Sequence, residues 1–254
     1  MTLLADPKFL LLAAIATTFL GISKGGFIGL GVIAVPLLSL AIPPQQAAAV
    51  LLPILLTQDA VSVWIYHRDF SAWNLKVLVS GAMIGTVIAT LVAGSLSPDV
   101  VRFAVGCIAL LFIVTRLTAR WIEHHLPKPS AISGVFWGMV AGFTSTIANA
   151  GSPPYQMQML PQRLPKMTFV GTTALYFAAT NAMKIPSYLA IGQLTWLNIS
   201  AGLALIPLAI ATNYLGVFLV RRVSMEAFYR IAYVLIAAIA LELLRSSTMA
   251  LLHH

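Results

Sequence analysis

The chain has 254 residues, of which 59% are hydrophobic and only 9% charged, and it carries a formal net charge of +8. Soluble domains carry about 25% charged residues, so this composition, with a mean hydropathy of +0.93, excludes a soluble globular enzyme or binding module. The basic residues are scattered between apolar runs and do not gather on one face, which excludes nucleic acid as a partner and makes the lipid bilayer the natural partner of the excess charge.

The first apolar run begins at residue 9, without the basic region of a cleaved signal peptide before it. It is broken at Gly21-Ile22-Ser23-Lys24-Gly25-Gly26 and resumes to residue 42, which predicts a broken helical hairpin over 9–42. Crossing a bilayer takes about 20 apolar residues, and helices of that class are predicted at 46–66, 74–96 and 99–118. Ser97-Pro98-Asp99 opens the last of these with a capping hydroxyl, a proline at the first helical position and an acid in the first turn. A basic linker occupies 119–130. A second broken segment, 131–160, is interrupted between Ser145 and Pro154. Helices over 167–190, 198–220 and 225–245 complete the series. The one cysteine, Cys107, allows no disulfide within the chain.

The two halves match. Phe70-Ser71-Ala72-Trp73-Asn74 resembles Leu194-Thr195-Trp196-Leu197-Asn198, and Ser97-Pro98-Asp99 answers to Ser224-Met225-Glu226. This gives an all-α polytopic membrane protein of two repeats, 1–118 and 131–250, each a broken hairpin followed by three transmembrane helices. If each hairpin enters and leaves on one side, ten Lys and Arg fall on one face and three, Lys8, Arg102 and Arg245, on the other, with Lys24 and Lys184 inside the membrane. If each broken segment crosses once, the split is seven to six. The positive-inside rule favours the first arrangement, inverted repeats with the 119–130 linker in the cytoplasm. The expected location is the cell inner (plasma) membrane. The short, proline-bearing arm 149–160 favours a re-entrant hairpin over a double span.

Interrupted segments at matching places in two halves point to a transporter's binding site near the bilayer midplane. Lys24 there requires a carboxylate, a carbonyl cluster or an anionic ligand, or else a route for its ammonium to the interface. Gly25 and Gly26 in one hairpin, and Asn149, Gly151 and Ser152 in the other, could bring backbone donors to an anion; close helix packing is the alternative for any one glycine. Gln58, Asn181 and Lys184 are further polar residues inside predicted spans, and Tyr176, with Thr57, Thr172, Thr173 and Thr180, is a candidate cavity residue. Asp59 is read as a proton-coupling group or as the ion-pair partner of Lys24 or Lys184. Arg116, Arg120, His124 and His125 form a basic patch that reads as topogenic. No nucleophile–base pair, metal-ligand pattern or nucleotide loop is present, so neither an enzyme nor a cofactor is expected. The runner-up readings are a passive anion channel, a carrier of a non-sulfur carboxylate, and a membrane scaffold subunit without substrate; a homodimer is compatible with all of them.

The residues also resemble a known family, the TauE/SafE sulfite exporter-like permeases. The likeness covers nearly the whole chain: Lys24-Gly25-Gly26, Pro36 and Pro44 in the first half, and in the second Gly171-Thr172-Thr173-Ala174, Asn181-Ala182-Met183-Lys184-Ile185-Pro186 and Gly192, then Arg221-Arg222 and Phe228-Tyr229-Arg230. The resemblance implies a secondary carrier, by its family name an exporter, of small sulfur-containing anions such as sulfonates, sulfoacetate or sulfite. Family members often carry a glycine run in the second hairpin, where this chain has Ala148-Asn149-Ala150-Gly151-Ser152.

Overall fold

The computed structural model describes residues 3–25, 30–118, 130–219, 237–238 and 240–250. Helix α1 (Pro7–Lys24) starts on Asp6, whose carboxylate accepts the Lys8 amide at 2.9 Å, with a proline in the first helical turn. After Gly25 the described chain resumes in a 3-10 turn, Leu30–Ile33, and the short α2 (Ala34–Leu38). Three long helices follow: α3 (Pro44–Tyr66), α4 (Ala72–Ala93) and α5 (Pro98–Leu117). Ser97 accepts the Val100 amide at 3.3 Å, the cap its sequence context predicts.

Helix α6 (Ala131–Ala148) opens on a reciprocal capping box between Ser130 and Ser133. It ends at Asn149, whose φ of 52° and ψ of 28° are left-handed, a conformation that asparagine tolerates better than most residues. Helix α7 (Ser152–Met159) then starts with a proline in its first turn, followed by α8 (Lys166–Ala190), α9 (Trp196–Ala204) and α10 (Ile206–Leu219). Among the described residues four helices, α1, α3, α4 and α6, are long and apolar enough to cross a membrane, and α9 with α10 makes a fifth if the bent pair is one span. The chain is all-α and polytopic, as composition requires.

Two boundaries differ from the sequence reading. The segment 198–220 is not one straight helix: α9 and α10 meet at 48°, because Pro207 has no amide to give the Leu203 carbonyl and its ring collides with the preceding turn. Of the predicted helix 225–245, residues 225–236 and 239 lie outside the described residues; 240–250 are helical, so the element runs past 245. The second arms of both hairpins are short. Helix α7 has 8 residues, about 12 Å at ~1.5 Å per residue against a ~30 Å hydrocarbon core.

Small residues set the helix pairing. Without a hydrophobic drive between helices in lipid, close backbone approach holds them together. Helices α4 and α6 meet along Gly81 and Gly85 on one side and Gly138 and Gly142 on the other; a Cβ on Gly85 would lie 1.9 Å from the Met139 carbonyl oxygen. Helices α1 and α10 meet at Gly21, Gly25 and Gly216, where a Cβ on Gly25 would lie 2.4 Å from the Gly216 backbone. Helices α3 and α8 pack between these two pairs and bring their polar residues to the centre.

Candidate functional site

The C-terminal end of α1, the end of α6, the start of α7, and the middles of α3 and α8 surround one cavity of about 70 Å³, measured for the centres of water-sized molecules. One water needs about 10–15 Å³ on that measure, so the space takes a small ion with a few waters. Its lining includes Lys24, Asn149, Ser152, Asn181 and Lys184, five of the residues predicted as binding residues.

A continuous polar chain crosses the site. Lys24 Nζ forms an ion pair with Asp59 Oδ1, in which the Lys24 side chain is 14% exposed and that of Asp59 3%. Asn181 Nδ2 donates to the other carboxylate oxygen of Asp59 at 2.6 Å. Lys184 Nζ donates to Asn181 Oδ1 at 2.8 Å and to Asn149 Oδ1 at 2.5 Å. Lys24 and Asp59 are 35 residues apart, and so are Asn149 and Lys184. Each hairpin therefore contacts the helix that follows it, and Asn181 joins the two contacts.

The contact chain holds two lysine side chains but one carboxylate, and that carboxylate meets Lys24 and Asn181, not Lys184. The Nδ2 of Asn149 is buried and makes no hydrogen bond, although it belongs to a residue on the cavity wall. The apolar part of the wall is Leu20, Val32, Leu55, Val170 and Phe177, and the Phe177 ring centroid lies 5.4 Å from Lys24 Nζ, within cation–π range. The arrangement can hold a small anion with an apolar body. Among the described residues no group of three His, Cys, Asp or Glu is placed to hold a metal ion.

The other predicted residues stand apart from the cavity wall. The Gly25 amide donates to Gly21 O at 2.9 Å, so it closes α1 and is committed within the helix. Gly26 lies outside the described residues, as do Arg120, His124 and His125. Gly151 packs against Ala141, whose carbonyl oxygen would be 2.7 Å from an added Cβ. Gln58 is fully buried and its amide donates to Thr17 O and Ala209 O at 3.5 and 3.3 Å. Tyr176 stacks on Tyr155 at 4.7 Å, with its hydroxyl unpartnered. Thr173 reaches the cavity, whereas Thr57, Thr172 and Thr180 bond their own helices.

The lining residues missed as candidates include Ser23, Ser62, Ser145 and Phe177. Phe177 had a legible signal. Thr173, Phe177, Asn181 and Lys184 are three or four residues apart and so share one face of α8. Ser145 had none, because hydroxyls inside apolar helices usually bond their own backbone.

A family model described as "Sulfite exporter TauE/SafE" matches residues 10–243. No curated protein and no solved structure matches the chain. The family match spans both hairpins and every helix that lines the cavity. The chain therefore belongs to the sulfite exporter TauE/SafE family and is a sulfite exporter-like membrane transporter.

Proposed function

We propose that this protein is a secondary transporter of a small sulfur-containing organic anion, of the sulfonate, sulfoacetate or sulfite type, which it carries by alternating access. The observation that carries the reading is the excess of donors at the cavity: Lys24 takes the one carboxylate, Lys184 is left on the amide oxygens of Asn149 and Asn181, and Asn149 Nδ2 has no acceptor. A buried, uncompensated ammonium is costly. An anion in the cavity supplies the missing charge and accepts the spare amide hydrogen. In this reading the anionic head lies between Lys24, Lys184, Asn149 and Ser152, and its apolar part against Phe177 and Leu55.

The two halves act as inverted repeats, which supports a site shared between them. The packing fits that reading: the hairpin helix of each half lies on the second of the other half's three transmembrane segments, α1 on α10 and α6 on α4. In this reading the substrate is exported from the cytoplasm across the plasma membrane with the 119–130 linker inside, a direction suggested by the family's name and an orientation supported by the charge split. Lys24 is the group that would exchange the Asp59 carboxylate for the anionic substrate.

The test is sulfonate transport in proteoliposomes, with Lys184→Gln as the variant, because glutamine keeps a hydrogen bond and loses the charge. A charged hydrogen bond is worth about 1.5–3 kcal/mol, so apparent affinity should fall about 10- to 150-fold while the protein stays folded. Transport at the unchanged concentration dependence would refute the binding role of Lys184.

A further inference from the structure

The cavity stops short. Along α8 its lining runs from Val170 to Lys184 and includes no residue beyond it. The next turn carries Ser187 and Tyr188, 5% and 2% exposed. On their far side lies a second, smaller cavity of about 10 Å³, lined by Tyr188, Thr146, Gln45, Leu96 and Gln193, enough for about one water. At this turn a set of hydroxyl contacts links three helices. Tyr188 Oη donates to the Thr146 carbonyl at 2.7 Å, and the hydroxyls of Ser187 and Thr90 lie 2.6 Å apart. Thr146 Oγ1 reaches Thr86 Oγ1 at 3.2 Å.

The Thr146 carbonyl is one of the last of α6, which a helix leaves without an internal partner. The Ala150 amide, which would take it if the helix continued, bonds Thr144 O at 3.3 Å instead. Tyr188 thus satisfies a helix-end carbonyl that water would otherwise have to reach. The first half has a looser counterpart: Tyr66 Oη donates to the Gly25 carbonyl, at the end of α1, at 3.5 Å. Ser62, toward the same end of α3, lines the main cavity and accepts from Asn213 Nδ2 at 3.4 Å. The hydroxyl contact at the end of α6, at 2.7 Å, is much shorter than the 3.5 Å contact at the end of α1, so the two ends of the path are held unequally.

We infer that Tyr188, with Ser187 and Thr90, is a gate: its bond to the α6 end seals the anion cavity from the second cavity, which is the vestibule on the side where α8 ends. This rests on the transporter reading above. When the gate opens, water replaces Tyr188 at the Thr146 carbonyl and the vestibule joins the anion cavity. The gating contacts touch no anion, so these are positioning residues and not binding residues.

The test needs no substrate, so failure of the gate and failure of the substrate assignment give different results. In a Cys107→Ser background, a reporter cysteine is placed at Ala174 on the cavity wall, and sealed vesicles are labelled from each side with a membrane-impermeant maleimide. A separate cysteine at Met167, 49% exposed at the start of α8, marks that side. The reporter should label from the α8-start side only. Tyr188→Phe with Ser187→Ala should raise labelling from the opposite side about eightfold, at about threefold for each hydrogen bond lost inside a membrane protein. Equal labelling from both sides before mutation, or no gain after it, overturns the gate. In a second arm, Thr90→Cys with Ser187→Cys is oxidised to a disulfide. Reduced, the pair lacks the Thr90–Ser187 hydroxyl contact and should label from the α8-end side; locked, it should lose that labelling and regain it on reduction, and labelling from that side that persists while locked also overturns the proposal.

Discussion

Replacing Asp59 by asparagine leaves the shape of α3 unchanged and removes the one carboxylate that faces Lys24 and Asn181. Two ammonium groups then remain without an anionic partner in their contact chain. Removing one partner of a buried ion pair costs about 3–5 kcal/mol. The pair is deeply placed, with side-chain exposures of 14% and 3%, so the discount that applies to surface pairs does not apply. At about 2–4 °C per kcal/mol for a chain of this size, the thermal midpoint of purified protein in detergent should fall by about 6–20 °C. The diagnostic variant is the double substitution, Asp59→Asn with Lys24→Met. With both charges gone the desolvation cost of the pair is also gone, and stability should return to within about 1–2 kcal/mol of the parent. The assay is a double-mutant cycle followed by intrinsic fluorescence during heating. An Asp59→Asn variant as stable as the parent, or a double variant no better than the single, would refute the claim that this pair is an obligate charge balance. A small sulfonate should restore more stability to Asp59→Asn than it adds to the parent, because it meets two uncompensated cations.

Gly142→Ala should destabilise by about 1–3 kcal/mol through overpacking, since its Cβ would fall 2.3 Å from the Ala82 carbonyl oxygen. Gly94→Ala, with nothing within 4 Å of its Cβ, should change stability by less than about 0.5–1 kcal/mol; thermal unfolding of the two variants side by side checks the α4–α6 contact. Asn149→Gly keeps the left-handed helix end that the φ of 52° requires and removes both the Lys184 acceptor and the spare donor. Its stability should stay within about 2 kcal/mol of the parent, and the thermal shift given by a sulfonate should shrink; an undiminished shift would remove Asn149 from the site.

Much of the fold was legible because crossing a bilayer is a local requirement. Each segment must satisfy its own backbone in a helix and present enough apolar surface. Hence α3, α4, α5 and α8 start and end within a few residues of their predicted limits, and Ser97, Ser71 and Thr195 cap the helices that follow them. Lys24, Asn149, Asn181 and Lys184 stood out because polar residues deep in apolar segments need a reason. Pro207 was also in view, but whether a proline ends, bends or only dents a helix depends on what packs against the freed carbonyl.

Taken by itself, the sequence determined that this chain lives in a bilayer, where its helices run and which polar residues are inside, because these depend on summed hydropathy over one segment at a time. Tertiary structure decided what those residues do. The crossing of α1, α3 and α8 gave Asp59 to Lys24 and Asn181 and left Lys184 on neutral amides. The close pairing of α1 with α10 turned Gly25 from a donor into a packing residue. The meeting of α6 with α8 set Tyr188 on the Thr146 carbonyl. Each is a contact between residues far apart in the chain, fixed by how closely helices approach, which no single segment encodes.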